Sequence, residues 1–323
     1  MIGGGGKISS EQPRLAGVEL QSSAYGLGIP IVLGTTRLTG NLIWYSDFRA
    51  LGHTQSQGGK GGPTYENTTY TYEATFAFGI CEGPIADIGK IWVGKEQHTL
   101  ANLGLTLFTG SASQATWGWM DTNHPAESLN HRRLAYVARA GYPLGNNASI
   151  NNHSFEVVGP LRLVDGITTL PDCDPADMIT DVLTNSVYSS CGWILSRVGS
   201  LTQFSNACRA YGILLSAALK EQRSTGEILT EIVKTANAQC FFSEGKLKIV
   251  PYADQAATGH GATYTPYLTA EYELNDDHFI VDSNSGDPPV RCVRRSPADA
   301  YNQVTVEFLN RANDYNTETV EAK

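Results

Sequence analysis

The sequence predicts an α+β protein that is mostly antiparallel β, with a small α+β domain carrying three short helices. Three observations lead there. Residues 64–80 (TYENTTYTYEATFAFGI) alternate between two faces, which is the period of a strand. Thr, Ser and Asn are plentiful beside 33 glycines, favouring strands and turns over long helices. Between 174 and 235 the apolar period changes to that of helices, each with its own start signal.

Composition narrows the classes further. Hydrophobic residues make up 41% and charged residues 17% of the chain, so a folded protein is expected. Its 323 residues suit two or three domains. The balance of 23 basic to 32 acidic residues, net −9, argues against the clustered Lys and Arg of a nucleic-acid-gripping surface. No apolar run approaches the ~20 residues that span a bilayer. The opening MIGGGGKISS lacks the basic-then-apolar order of a signal peptide, so synthesis in the cytoplasm is expected. The six cysteines (Cys81, Cys173, Cys191, Cys208, Cys240 and Cys292) lie far apart without a CxxC. Small buried thiols in a reducing compartment fit that spacing better than a disulfide framework or a metal cluster.

Taken in order, residues 1–28 read as a flexible lead. Gly3–Gly6 followed by Lys7 lacks the preceding strand and the Ser or Thr that a phosphate loop requires. Residues 29–165 read as the first β domain. Strands are expected at Ile29–Gly34, Arg37–Tyr45, 64–80 and Ile88–Val93, joined antiparallel in a barrel or sandwich. On 64–80, Tyr70, Tyr72, Ala74, Phe76, Phe78 and Ile80 form the core face. Thr69, Thr71, Glu73 and Thr75 form the polar face, a candidate for a channel or subunit contact. A usual strand is about five or six residues; this one is about three times that, so it should project beyond its sheet or cross a barrel. The glycine cluster around Lys60 reads as a mobile hairpin tip, and Glu82-Gly83-Pro84 as the stop. Residues from about 104 to 133 read as an insertion with Trp117, Trp119 and a short helix at Glu127–Arg133. Strands resume at 134–138 and 154–158, with the Asn-rich 146–152 as a loop.

Residues 166–255 read as the small α+β domain. Asp174-Pro175 starts a helix that Asn185 ends, with Ile179, Val182 and Leu183 inward. Ser200–Gln203 and Ser224–Glu227 are capping-box patterns, and Gly212 stops the helix that follows the first. Ile213–Leu219 reads as a strand, and Cys240–Val250 as a hairpin turning at Glu244-Gly245. Residues 256–323 read as strands of a second barrel-like domain, at 290–294 and 303–309. The last of these has no evident following partner, so the chain is expected to continue beyond Lys323.

Chemistry is sparse. The seven histidines form no HExxH or close ligand pair. His124, Glu127 and His131 could face one another, though an ordinary polar loop explains them. Asp174 already has a capping role and Asp276-Asp277 sits in a turn-like stretch, so nothing points to the two carboxylates at a defined separation that a glycosidase needs. There is no GxSxG. The residues alone point to a protein without catalysis, cofactor or metal.

Five stretches then carry a resemblance: IPIVLGTTRLTGNLIWYSDF (29–48), FAFGICEGPIADIGKIWV (76–93), LAYVARAGYPLGNNASINNHSFEV (134–157), DPADMITDVLTNSVYSSCGW (174–193) and YNQVTVEFLNRANDYNTETVEAK (301–323). In this order they resemble the tail-tip baseplate hub proteins of long-tailed phages and gene transfer agents, the group that includes the lambda-type host-specificity protein. The resemblance implies a homotrimeric virion hub in which each subunit supplies two tail-tube-like β-barrels, giving a pseudo-sixfold ring under the tube. It implies contact with the tail tube or distal tail protein, the tape-measure protein and tip or fibre proteins. DNA would leave through the channel without specific binding, and host-cell contact would come through additional domains. On this reading Thr69, Thr71, Glu73, Thr75 and Lys60 are the interface or lumen candidates. Trp117 and Trp119 are the surface-contact candidates. Two other classes stay open: a tail-associated cell-wall hydrolase using an acid such as Asp276 or Glu127, and a receptor- or carbohydrate-binding tip module using the tryptophans.

Overall fold

The computed structural model describes residues 7–15, 19–20, 26–58, 63–166, 168–189, 191–270, 272–280, 290–293, 296 and 301–322. Two compact units divide the chain, Met1–Thr265 and Pro266–Lys323. The first unit opens with β1 (Lys7–Glu11), β2 (Glu19–Leu20), β3 (Ile31–Leu33) and β4 (Thr35–Thr39). The two longest strands follow, β5 (Asn41–Gln57) and β6 (Thr64–Glu82). Next come β7 (Asp87–Val93), β8 (Glu96–His98), α1 (Leu100–Leu103), β9 (Thr106–Phe108), α2 (Gly118–Asn123), β10 (Leu134–Gly145), β11 (Ser149–Ile150) and β12 (His153–Val158). Its later part holds α3 (Pro175–Thr184), α4 (Thr202–Tyr211), β13 (Ala217–Leu219), α5 (Thr225–Thr235), β14 (Ala238–Ser243), β15 (Lys246–Pro251), β16 (Ala257–Gly259) and β17 (Ala262–Tyr264).

The spine is β6. One of its edges pairs antiparallel with β5 from Tyr65 to Gly79. The other edge is shared: β1 runs parallel along Thr64–Thr68, and β10 antiparallel along Tyr72–Glu82. Strand β9 completes this sheet on the far side of β10, and a second sheet runs in the order β4-β12-β7-β8. The core lies between them, with Phe76, Phe78 and Ile80 from the first sheet and Ile91, Phe155 and Val157 from the second.

These are two packed sheets, and among the described residues their hydrogen bonding forms no closed barrel. The chain changes sheet at sharp corners. At Gly40, between β4 and β5, a Cβ would lie 2.7 Å from the Phe155 ring; at Gly83, after β6, it would lie 2.5 Å from the Thr109–Gly110 backbone. Glycine permits both approaches, and a corner of this kind interrupts the ladder where a barrel would continue it.

Helices α3 and α5 and the β14–β15 hairpin enclose a second core with Ile179, Leu183, Phe204, Val233 and Leu247. Strand β3 joins the cores because its side chains alternate: Val32 belongs to the first and Leu33 to the second. Beside it the Thr35 amide donates to Ser216 Oγ at 2.8 Å, and that hydroxyl donates to Asp172 at 2.5 Å. The β14–β15 turn has positive φ at both Glu244 (54°) and Gly245 (73°), as a two-residue hairpin needs. Asp174 caps α3 through the Ala176 amide at 2.9 Å, with Pro175 at the first helical position.

Other expectations are corrected. The lead of residues 1–28 contains β1, ordered by a strand long enough to leave part of its edge free for it. Residues 127–133 are turns and irregular backbone rather than a helix, with His131 (φ 43°) and Arg133 (φ 66°) left-handed; the helix nearest them in this insertion is α2. Leu201, not Ser200, precedes α4 and makes no capping bond; Ser200 Oγ accepts from the Thr202 amide at a long 3.4 Å, without the reciprocal bond of a capping box. Residues 257–264 form a hairpin within the first unit. In the second unit Val290–Val293 is not a strand, and Arg294 lies outside the described residues. Its hairpin joins β18 (Val304–Asn310) to β19 (Asn316–Ala322), which supplies the partner that seemed missing.

The two capping boxes should therefore separate. Ser224→Ala removes a box in which both reciprocal bonds are present and should cost about 1 kcal/mol in urea unfolding; Ser200→Ala should be close to neutral. His153 gives a second test. It is fully buried among Phe76, Phe78, Tyr142 and Phe155, with ring centroids 5.0 to 6.4 Å away. Burial holds its imidazole below the ordinary 6.5. The unfolded chain therefore takes up the proton first, and this contribution to stability is complete above about 6.5 and shrinks as pH falls through it. The native protein should lose more stability than His153→Phe between about pH 7 and 5, read as the difference between their unfolding midpoints.

Candidate interaction arm and tryptophan cluster

The same strand that forms the core also leaves it. From Tyr72 to Cys81, all residues of β6 except the half-buried Glu73 are buried; toward Thr64 they alternate between exposed and half-buried. In β5 every residue from Leu51 to Gln57 is exposed. The two strands continue outward as an arm, roughly 20 Å long at about 3.4 Å per residue. Its pairing is dense: Thr54 Oγ1 lies 3.0 Å from Thr68 Oγ1, and His53 Nε2 lies 2.7 Å from Thr71 Oγ1. On the opposite edge Tyr70 donates to Glu11 of β1, and Tyr72 Oη accepts from the Leu15 amide at 3.0 Å. Phe48 stacks on Tyr72 at 5.6 Å and 4° at the root. Among the described residues of 51–58 and 63–70, Glu66 is the one Asp, Glu, Lys or Arg. No described strand covers the outer edge of β5. An open, weakly charged strand edge is a template for pairing with another chain.

The structure scatters the predicted polar face. Thr69 is exposed, with its hydroxyl 3.5 Å from the His53 carbonyl. Thr71 is half-buried and bound to His53. Glu73 is half-buried and pairs with Arg49 at 2.5 Å. Thr75 is a correction: it is buried, and its Oγ1 accepts from the Gly141 amide at 3.1 Å. The insertion covers that end of the face, placing Ala77, Trp117, Met120, Tyr136 and Ala138 in a third core. Lys60 lies outside the described residues.

The tryptophans are mainly packing elements. Trp117 is buried, while Trp119 is half-buried with its ring centroid 4.9 Å away. Trp44 of β5 meets both, at 6.5 and 6.4 Å, and its indole N–H donates to Glu127 at 2.5 Å. His124 sits 5.2 Å from Trp44, with its Nε2 3.3 Å from Asp47. His124, Glu127 and His131 thus have separate partners, as an ordinary polar loop would give them; His131 lies against the Tyr136 ring at 5.2 Å. Asp276 begins a short 3-10 turn, Asp276–His278, and its side chain lies outside the described residues. Among the described residues no three His, Cys, Asp or Glu gather as metal ligands. All six cysteines are free; Cys81, Cys173 and Cys208 are buried, and Cys292 is exposed. Burial pushes the Cys81 and Cys208 thiols up to about 12, leaving them un-ionised and inert near neutrality. Sequence reasoning missed Trp44, Asp47 and Arg49, which the alternation of β5 and its Asp47 bulge bring to this cluster.

The fold resembles that of a chain in a virion structure. A chain of the structure described as "Virion of native gene transfer agent (GTA) particle" matches with a TM-score of 0.53 and 16% identity, covering 97% of this chain and 68% of that one. More narrowly, residues 224–323, from α5 through the β18–β19 hairpin, match a family model described as a putative phage tail protein. Comparison with curated proteins gives no match.

A contrast tests the corrected face. Thr75→Val leaves the half-buried Gly141 amide without its acceptor and should cost about 1 kcal/mol. Thr69→Val should stay within about 0.5 kcal/mol; urea unfolding of the pair reads the difference.

Proposed function

We propose that this chain is a structural component of a phage- or GTA-type virion tail, and within the tail the hub at the tip. What carries the reading is the coincidence of two independent likenesses, the fold over nearly the whole chain and the tail-protein family over its last hundred residues. On this reading three copies form a ring between the tail tube and the distal tip. The ring surrounds the path of the tape-measure protein and DNA, and no catalytic step is assigned to the chain.

Two physical features support an assembled state. The arm offers an unpaired strand edge with polar, mostly uncharged side chains, suited to docking on a neighbouring subunit with little desolvation of charge. In the second unit, Val304, Val306, Phe308 and Val320 share one face of the β18–β19 hairpin, and all four are exposed. An isolated hairpin is marginal in water, so covering this face in an assembly would stabilise it. A net charge of −9 suits a channel that must release DNA rather than hold it.

Light scattering of the chain with the tube and tape-measure proteins of its own tail should give a three-copy ring. A variant lacking residues 53–69, closed by Asn-Gly, gives up the pairing of β1 but keeps the three cores; it should still unfold cooperatively and fail to enter the ring. A chain that stays monomeric with every tail partner would overturn the hub assignment.

A further inference from the structure

Both strands that flank the middle of β6 break register at the same level. In β5 the irregularity falls between Ser46 and Arg49, which pair with Thr75 and Glu73. In β10 it falls between Arg139 and Tyr142, which pair with Phe76 and Ala74. Such bulges bend a strand and re-aim its side chains. Asp47 takes φ +52° in the first bulge, and Gly141 takes φ +59° in the second. A non-glycine residue held left-handed within a strand is strained, and strain of this kind collects where a side chain must be presented.

Between the bulges lies an open depression of about 590 Å³. Ala140, Gly141 and the buried Thr75 line its sheet side; Trp119, Asn123 and His124 line the helical side. A Cβ at Gly141 would find one atom within 4 Å, a Glu73 carboxylate oxygen at 3.8 Å, so this surface is open. Asp47 and Arg49 form the remaining wall. Each polar group keeps capacity after its internal bonds. Arg49 gives one contact to Glu73 at 2.5 Å, and its side chain is 65% exposed. Asp47 holds His124 at 3.3 Å through both oxygens, leaving further lone pairs. Asn123 donates to the Trp119 carbonyl at 2.7 Å, which leaves its side-chain oxygen as an acceptor.

We infer that this depression is a binding site for a neutral saccharide, separate from the arm and independent of the hub assignment. An aromatic ring beside carboxylate, amide and guanidinium groups matches a sugar, whose C–H surface meets the indole while paired hydroxyls need donors and acceptors together. Neutral sugar is favoured over acidic sugar because Arg49 is already matched by Glu73, and His124 by Asp47. The site binds and does not cleave; its groups position hydroxyls.

The test is tryptophan fluorescence and calorimetry of the full chain with tetramers of glucose and of N-acetylglucosamine, and with tetragalacturonate as the charged control. Saturable binding of at least one neutral tetramer, weaker binding of the acidic one, and a loss of about tenfold in affinity (1.4 kcal/mol) in Asp47→Asn and Asn123→Ala support the site. Both variants alter solvent-exposed side chains and should melt like the parent; Trp193→Phe, in the helical part, should bind normally. Absence of saturable binding by either neutral tetramer would overturn the inference. So would binding that survives both variants, or binding that tetragalacturonate matches. A depression reserved for a side chain of a neighbouring subunit would give the first of these results.

Discussion

The pairing of β6 along both edges, with burial on both faces over half its length, is the constraint on which the first unit depends. From Tyr72 to Gly79 the strand lies between β5 and β10 and between two cores. Its aromatic side faces the second sheet through Phe76 and Phe78; its small side, at Ala77, admits Trp117 and Met120. A one-residue slip would exchange these sides and drive phenylalanines against the insertion. The long register also fixes where β1 can sit, because β10 leaves that edge of β6 free only before Tyr72.

One continuous strand thereby does two kinds of work. Its buried end supplies rigidity, and its far end carries that rigidity into solvent as an arm supported on both edges. The bulges in β5 and β10 mark the level where the behaviour changes, and Asp47, Arg49, Trp119 and His124 gather there. Separately, the β18–β19 hairpin shows an exposed apolar face within the stretch that resembles phage tail proteins. Both features read naturally as surfaces made for assembly.

Much of this was legible in the chain, and the reasons differ by element. The limits of β6, α3 and the β14–β15 hairpin follow from local signals: strict alternation, an Asp-Pro start, and a Glu-Gly turn. The fate of Thr75 did not follow, because a polar residue on a period-two pattern reads as exposed unless a distant segment covers it, and here the insertion does. Ser200 shows the same limit at a helix end: the pattern was present, but the chain places Leu201 at the cap position. The corners at Gly40 and Gly83, where close packing turns the chain between sheets, carry no sequence signal that separates a sandwich from a barrel. Asp47 and Arg49 lacked any motif, since a bulge is a property of two strands rather than one.

Hydrogen exchange along β6, measured on the chain alone and again with its tail partners, tests the central claim most directly. The account predicts strong protection at residues 74–81 in both states, and faster exchange at 51–57 of the arm that slows on assembly because the open edge of β5 becomes paired. Arm amides that are already protected in the isolated chain, or that exchange unchanged in the assembled tail, would contradict it.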